Sequence, residues 1–189
     1  MSKINGPLQD APHKDRKSWE YFWLVDPLDG TKEFVKRGGE FTVNIALIQK
    51  NTPVLGVVYA PELDVCYWEK QGEGAFKDGK APPFKTKERR KIYKIVTSRS
   101  HMSNETQAFI DAIYTSKEKE LISIGSSLKI CLVAEGEADI YPRLGLTMEW
   151  DTGAAHAIIK ESGKSIQGYK APLFLYNKKN LLNSWFITL

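Results

Sequence analysis

From Trp19 onward the apolar residues fall into short runs separated by polar turns. Tyr21–Val25 is an aromatic and apolar run that meets Asp26-Pro27. Proline restricts the residue before it, so the run predicts a buried strand ending in a turn. Its aromatics, with Trp19, Tyr21, Phe22 and Trp23 so close together, alternate poorly and read as a mixture of core and rim. A meander is predicted next, with strands over Phe41–Ile48, Val54–Tyr59, Val65–Glu69 and Gly74–Phe76. Lys50-Asn51-Thr52-Pro53 is a turn, and Gly72 and Gly74 punctuate the later strands. Connections this short predict antiparallel neighbours.

The pattern then changes. Pro82-Pro83 and the basic stretch Lys85–Lys91 predict a solvated connector between two parts, 1–84 and 85–189. Ile92–Thr97 reads as a strand running into the loop Ser98-Arg99-Ser100-His101. Asn104–Tyr114 has helical spacing at Phe109, Ile110 and Ile113, with Ser103 placed as N-cap. Leu121–Ile124 is a second strand, followed by Gly125-Ser126-Ser127 and an amphipathic helix through Ala134. Asp139–Tyr141 is a third strand. Thr152–Glu161 is a helix that Gly163 ends and Asp151 caps. Strand and helix alternating in this way predict α/β layering behind the antiparallel first part. Residues 1–18 show no periodicity and read as a loop or loose arm.

Charge and cysteine usage narrow the classes. The 27 basic and 23 acidic residues give a net +4 dispersed along the chain. That is too mild for nucleic-acid binding but suits a small polyanion. Cys66 and Cys131 lie far apart, without a secretory signal in the polar first 16 residues, and are expected as free thiols. Cys131, between Lys129 and Val133, is expected to be small buried packing. No run approaches the roughly 20 apolar residues of a membrane span. A soluble cytoplasmic protein is expected.

Asp26-Pro27-Leu28-Asp29-Gly30-Thr31 carries the chemistry. Two carboxylates three residues apart at a strand end raise each other's pKa unless a cation sits between them. Mg²⁺ suits such oxygens, and the Leu28 carbonyl could point at the same ion. Gly30 and Thr31 offer backbone N–H groups and a hydroxyl to a phosphate oxygen. The simpler reading is two successive turns. A third acid, Asp151, stands before Thr152-Gly153-Ala154-Ala155, whose small side chains allow close backbone approach. Taken alone, Asp151 would simply cap a helix, for about 1 kcal/mol. His156, on the same helix, is expected to be packed or surface-exposed rather than a ligand.

Asp26–Thr31 followed downstream by Trp150-Asp151-Thr152-Gly153-Ala154 resembles the two signature motifs of the inositol-monophosphatase superfamily. The longer run to Phe34, Gly39–Leu47 and Gly125–Lys129 resemble its bacterial bisphosphate nucleotidase branch. The resemblance covers about Trp19 to Leu189. It implies a layered α-β-α-β-α sandwich, with the first helical layer largely missing here. It also implies hydrolysis of the 3′-phosphate of adenosine 3′,5′-bisphosphate by water on two or more Mg²⁺ ions, giving AMP and phosphate. Asp26, Asp29, Asp151 and the Leu28 carbonyl would be metal ligands, with Thr31 orienting the water and Gly30 and Thr31 holding the scissile phosphate. Ser98, His101, Gly125, Ser126, Ser127, Lys129 and Arg143 would hold the nucleotide, Arg143 at its second phosphate.

The partner implied is a small nucleotide bisphosphate, with no nucleic acid and no integral membrane segment. A peripheral place on the cytoplasmic face of the inner membrane is compatible with that reading. The chain departs from the family pattern upstream of Asp26, where Asp10, Asp15 and Glu20 are the only acids and no Glu-Glu pair occurs. Two alternatives therefore stay open: an inositol-phosphate phosphatase, or an inactive remnant that binds metal or anion. A missing first layer also predicts exposed apolar surface and lower stability or association.

Overall fold

Side-chain alternation in the first five strands decides the layering. The computed structural model describes residues 11–78, 84, 91–99, 102–170 and 173–189, so nearly all of the connector and His101 lie outside the described residues. β1 (Tyr21–Asp29), β2 (Thr42–Gln49), β3 (Thr52–Ala60), β4 (Val65–Lys70) and β5 (Gly74–Lys77) form one antiparallel sheet in chain order. Phe22 and Leu24 point inward, while Tyr21, Trp23 and Val25 on the other face are 47%, 46% and 47% exposed. The aromatic run thus alternates cleanly, against the sequence expectation, because only Trp19 lies outside the strand. Ala46, Ile48, Val58, Tyr67 and Ala75 continue the buried face.

Helix α5 (Glu149–Glu161) lies against that buried face. Its approach is close because the contact residues are small. A Cβ on Gly56 would fall 2.2 Å from the Ala154 carbonyl oxygen, and one on Gly153 would fall 2.8 Å from Leu24 Cδ2. The small residues at 153–155 are therefore a packing surface against the sheet. Beside α5 runs α4 (Leu128–Ala134), buried on nearly every side.

The second sheet closes the other side. β6 (Ile92–Ser98) and β7 (Glu118–Ile124) pair in parallel, joined by α3 (Asn104–Ala112), whose N-cap Ser103 accepts the Thr106 N–H at 3.1 Å. β8 (Tyr141–Arg143), β9 (Ile166–Gly168) and β10 (Phe186–Thr188) form an antiparallel set in the order β8-β10-β9, tied to β6 through an Ile95–Ile140 bridge. Ile95 packs with Ile110 of α3, whereas its neighbour Val96 joins the main core with Ile130 and Ile158. The layers run sheet, helices, sheet, helix. The described residues contain no helical layer on the outer face of the first sheet. The main core draws Leu24 and Val58 from one part of the chain and Ile130 and Ile158 from the other.

Two short helices complete the order, α1 (His13–Arg16) and α2 (Thr31–Val35). Residues 13–16, expected as loose arm, are pinned by buried Arg16, which donates to Asn177 Oδ1 at 2.8 Å and the Lys178 carbonyl at 2.7 Å. Several predicted boundaries move. The strand expected over 139–141 lies at 141–143, α3 stops before Tyr114, and α5 begins at Glu149 rather than Thr152. No helix among the described residues is long and apolar enough to cross a membrane.

One buried acid sets a pH dependence. Glu69 on β4 is 4% exposed, and neither carboxylate oxygen makes a hydrogen bond of ordinary geometry. Burial, reinforced by the charge of Glu161 and only partly offset by the Gly56 amide, pushes its carboxyl up to about 7. The folded state therefore holds this proton more tightly than the unfolded chain, so Glu69 lowers stability as pH rises from 4.5 toward 7. Glu69→Gln should raise the unfolding free energy at pH 8 by about 1 kcal/mol or more, and change it little at pH 4.5. Urea titrations at the two pH values read this directly, and an equal effect at both would contradict it.

Candidate active site

Residues three apart on a regular strand face opposite ways, so Asp26 and Asp29 converge only if β1 is interrupted. It is. Asp26 pairs with Asn44 and Asp29 with Thr42, so three steps on β1 match two on β2, and the extra residue forms a bulge at Pro27-Leu28. Proline needs no ladder partner there. The Leu28 N–H turns back to Asp26 Oδ1 at 3.0 Å, and Gly30 leaves the strand at φ 86°, a left-handed geometry that glycine adopts without strain. The strand thus reaches Asp29 rather than ending at Val25. Both carboxylates lie on the face that carries Phe22 and Leu24.

Asp151 reaches them from α5. It occupies the third helical position, with Met148 as N-cap, and its carboxylate accepts the Met148 N–H at 2.8 Å. The cap assignment made from sequence is therefore corrected by three residues, because the acid reaches back to close the turn instead of opening it. Asp151 and Asp26 come within side-chain hydrogen-bond reach of each other. Burial, with the charges of Asp29 and Asp26, pushes the Asp151 carboxyl up to about 7. Burial also raises Asp26, and Asp29 adds to it.

Asp29 is held by Ser127, which sequence reasoning assigned to the nucleotide, and by Thr42 and Asn44, which it did not single out. Its Oδ2 accepts from Ser127 Oγ at 2.8 Å, Asn44 Nδ2 at 3.2 Å and Thr42 Oγ1 at 3.4 Å, which leaves Oδ1 for another partner. Asn44 Nδ2 also lies 2.9 Å from Ser127 Oγ, and Ser127 lies 2.7 Å from the Asp151 carbonyl. Ser127 therefore ties the two acid-bearing elements together. The signal for Thr42 and Asn44 was in the sequence. They sit in phase with inward Ala46 and Ile48, and polar residues on a buried strand face need partners. Glu149 was missed as well. It is fully buried and accepts from the N–H groups of Asn177 and Lys178 and from Lys178 Nζ, at 2.8, 3.0 and 2.6 Å.

A cleft of about 300 Å³ opens beside these acids. Asp29, Gly30, Thr31, Ser98, Gly125, Ser126, Ser127, Lys129, Arg143 and Asp151 all line it, whereas Asp26 and Leu28 do not. Thr31 is exposed, with its hydroxyl 3.4 Å from the Leu28 carbonyl. Ser126 has φ 49°, a strained value for a residue with a side chain, and its buried hydroxyl has no partner among the described residues. Lys129 Nζ donates to the Ser126 carbonyl at 2.6 Å and stands over the Tyr141 ring. Burial pushes its ammonium down to about 8, against the pull of Asp29. Arg143 is the last residue of β8 rather than a residue beyond the strand. It donates from Nη2 to the Leu146 carbonyl at 2.8 Å, while its Nε is buried and unpaired. His101 falls outside the described residues. His156 is packed, with Nδ1 3.1 Å from the Tyr176 hydroxyl and its pKa driven by burial down to about 4. Both cysteines are free, and Cys131 is buried.

This fold, with its paired acids beside a cationic wall, has known counterparts. Residues 3–185 match the inositol monophosphatase family, and the chain belongs to it. Within that family it is 47% identical over 174 residues to the 3′(2′),5′-bisphosphate nucleotidase CysQ of Salmonella typhimurium, spanning 90% of this chain and 69% of that protein. Identity to CysQ of Escherichia coli K12 is 45% with the same coverage. The crystal structure of CysQ from Bacteroides thetaiotaomicron superposes with a TM-score of 0.86 at 43% identity, covering 95% of this chain and 73% of that one. The layered sandwich expected from the sequence is the fold of these relatives.

Asn44→Ala removes the donor shared by Ser127 and Asp29, leaving a buried carboxylate less satisfied. It should cost about 1–3 kcal/mol in urea unfolding, and a cost near zero would show that the network is slack.

Proposed function

We propose that the chain hydrolyses the 3′-phosphate of adenosine 3′,5′-bisphosphate to AMP and phosphate, with Mg²⁺ as cofactor, as a cytoplasmic enzyme of nucleotide recycling in sulfur assimilation. One observation carries this reading: a single cleft is lined both by carboxylates, Asp29 and Asp151, and by the cationic side chains of Lys129 and Arg143. A substrate with one phosphate to cleave and a second to hold fits that polarity. The CysQ relatives support the same choice.

The donor set fits a hard cation. Asp151 and Asp26 are driven toward their neutral forms by burial and by the neighbouring charge of Asp29, which a divalent ion would reverse. Among the described residues no three acidic, histidine or cysteine side chains close around an ion by themselves. Mg²⁺ does not need them to, since it commonly takes one or two carboxylates with waters and substrate phosphate oxygens. Asp26, Asp29 through its unused Oδ1, Asp151 and the Leu28 carbonyl would hold it, and we favour two or more such ions. When bound, Mg²⁺ would lower the pKa of water and neutralise charge on the phosphoryl oxygens.

The protein's own groups do the rest. The backbone at Gly30 and the Thr31 hydroxyl face the scissile phosphate, and the weak 3.4 Å contact to Leu28 leaves Thr31 free to orient a water. The buried Ser126 hydroxyl and Arg143 Nε have no hydrogen-bond partner among the described residues, and the Lys129 ammonium donates to the neutral Ser126 carbonyl. They hold the remaining phosphate, with Ser98, Gly125 and Ser127 shaping the wall between. Positioning of this kind converts binding energy into alignment for in-line attack.

Phosphate release from adenosine 3′,5′-bisphosphate should require Mg²⁺ and fall by at least ~10²-fold in Asp26→Asn. Lys129→Met and Arg143→Met should each raise KM about tenfold, as loss of a charge-assisted hydrogen bond does. Faster release from inositol 1-phosphate, insensitive to both cationic substitutions, would assign an inositol-phosphate phosphatase. Nucleotide binding without turnover at any Mg²⁺ concentration would leave an anion-binding remnant.

A further inference from the structure

The run Gly39-Glu40-Phe41 precedes β2, and none of the roles assigned above uses Glu40. Its carboxylate nevertheless reaches across the site. Oε2 accepts the Gly125 N–H at 2.8 Å, and Oε1 pairs with Arg99 Nη2 at 2.8 Å. Arg99 Nη2 in turn donates to the Ser123 carbonyl at 2.9 Å, so the same clasp grips both sides of the turn from β7 into α4.

The Glu40 main chain is the spacer of the same joint. A Cβ on Gly125 would lie 2.6 Å from the Glu40 carbonyl oxygen, and one on Gly30 would lie 3.1 Å from that oxygen. The acid-bearing turn at Gly30 and the serine turn at Gly125 therefore pack against one residue, with glycine required at the tighter contact. What Glu40 holds is consequential. The next residue, Ser126, sits in its strained left-handed geometry, and Ser127 donates to Asp29. Lys129 grips this turn from the buried side through the Ser126 carbonyl. Glu40 is its restraint from the other side.

We propose that Glu40, braced by Arg99, is a positioning residue that fixes the Gly125–Ser127 turn over the acid-bearing strand end, and so sets the affinity of the cleft for its anionic substrate. A simple surface ion pair would contribute little. Here the Arg99 side chain is 51% exposed but that of Glu40 only 17%, and the carboxylate-to-amide bond is charge-assisted. The kinetic consequence rests on the nucleotidase reading. The structural consequence does not.

Glu40→Ala, Glu40→Gln and Arg99→Met separate the two bonds, since glutamine keeps an oxygen for the Gly125 N–H and loses the ion pair. Amide exchange in the metal-free chain should accelerate about tenfold at Gly125–Ser127 in Glu40→Ala and stay unchanged in the core strands. Glu40→Gln and Arg99→Met should fall between that variant and the parent. KM for adenosine 3′,5′-bisphosphate should rise about tenfold in Glu40→Ala with kcat within about threefold, the pattern of lost uniform binding. Unchanged exchange at Gly125–Ser127 would overturn the proposal. So would a uniform rise in exchange with kcat lost, which marks a merely structural residue. If the parent chain shows no turnover, the nucleotidase reading fails while the exchange result still decides the role of Glu40.

Discussion

A one-residue bulge governs this site. Were β1 regular through Pro27-Leu28, Asp26 and Asp29, three residues apart, would face opposite sides of the strand, and one of them would point to the outer face. With it, both acids follow Phe22 and Leu24 onto the inner face, where α5 delivers Asp151. The bulge requires a residue that forgoes ladder hydrogen bonding, which proline supplies, and a left-handed exit, which Gly30 supplies. The apolar strand and the polar cluster are thus two ends of one register.

Concentrating carboxyl groups there has an electrostatic cost that the surrounding structure manages unevenly. Asp29 is satisfied by Ser127, Asn44 and Thr42, whereas Asp26 and Asp151 face each other and are pushed toward protonation. Across the cleft the opposite imbalance holds, with a desolvated Lys129 and an unpaired Arg143 Nε. In the function proposed here a hard cation would answer the first and a phosphate the second. Polar groups left short of partners in and beside one cleft point to ligands of opposite charge.

Much of this was legible in the sequence because the first strands are local structures with clear turns, and because Asp26–Thr31 and Trp150–Ala154 are dense, unusual strings. The boundaries that moved have physical causes. Asp-Pro reads as a strand end, yet a bulge carries β1 four residues beyond Val25, to Asp29. Asp151 reads as a cap, yet it reaches back from the third position of α5. The aromatic run reads as irregular, yet the strand separates Phe22 from Tyr21 and Trp23 by simple alternation. What the sequence could not provide was partnership over distance. Asn44 meets Ser127 across 83 residues and Glu40 meets Gly125 across 85, and neither pairing leaves a local pattern. Only the polar character of Thr42 and Asn44 on an inward face hinted at them.

The central claim is that the bulge assembles a cation site from Asp26, Asp29 and Asp151, next to an anion site at Lys129 and Arg143. Crystals grown with Mn²⁺ and phosphate test it most directly, through the anomalous signal of the manganese. The expected result is an anomalous peak among the three carboxylates with phosphate between it and the two cationic side chains, both lost in Asp29→Asn. Manganese absent from that space at saturating concentration, or phosphate bound identically without it, would contradict the account.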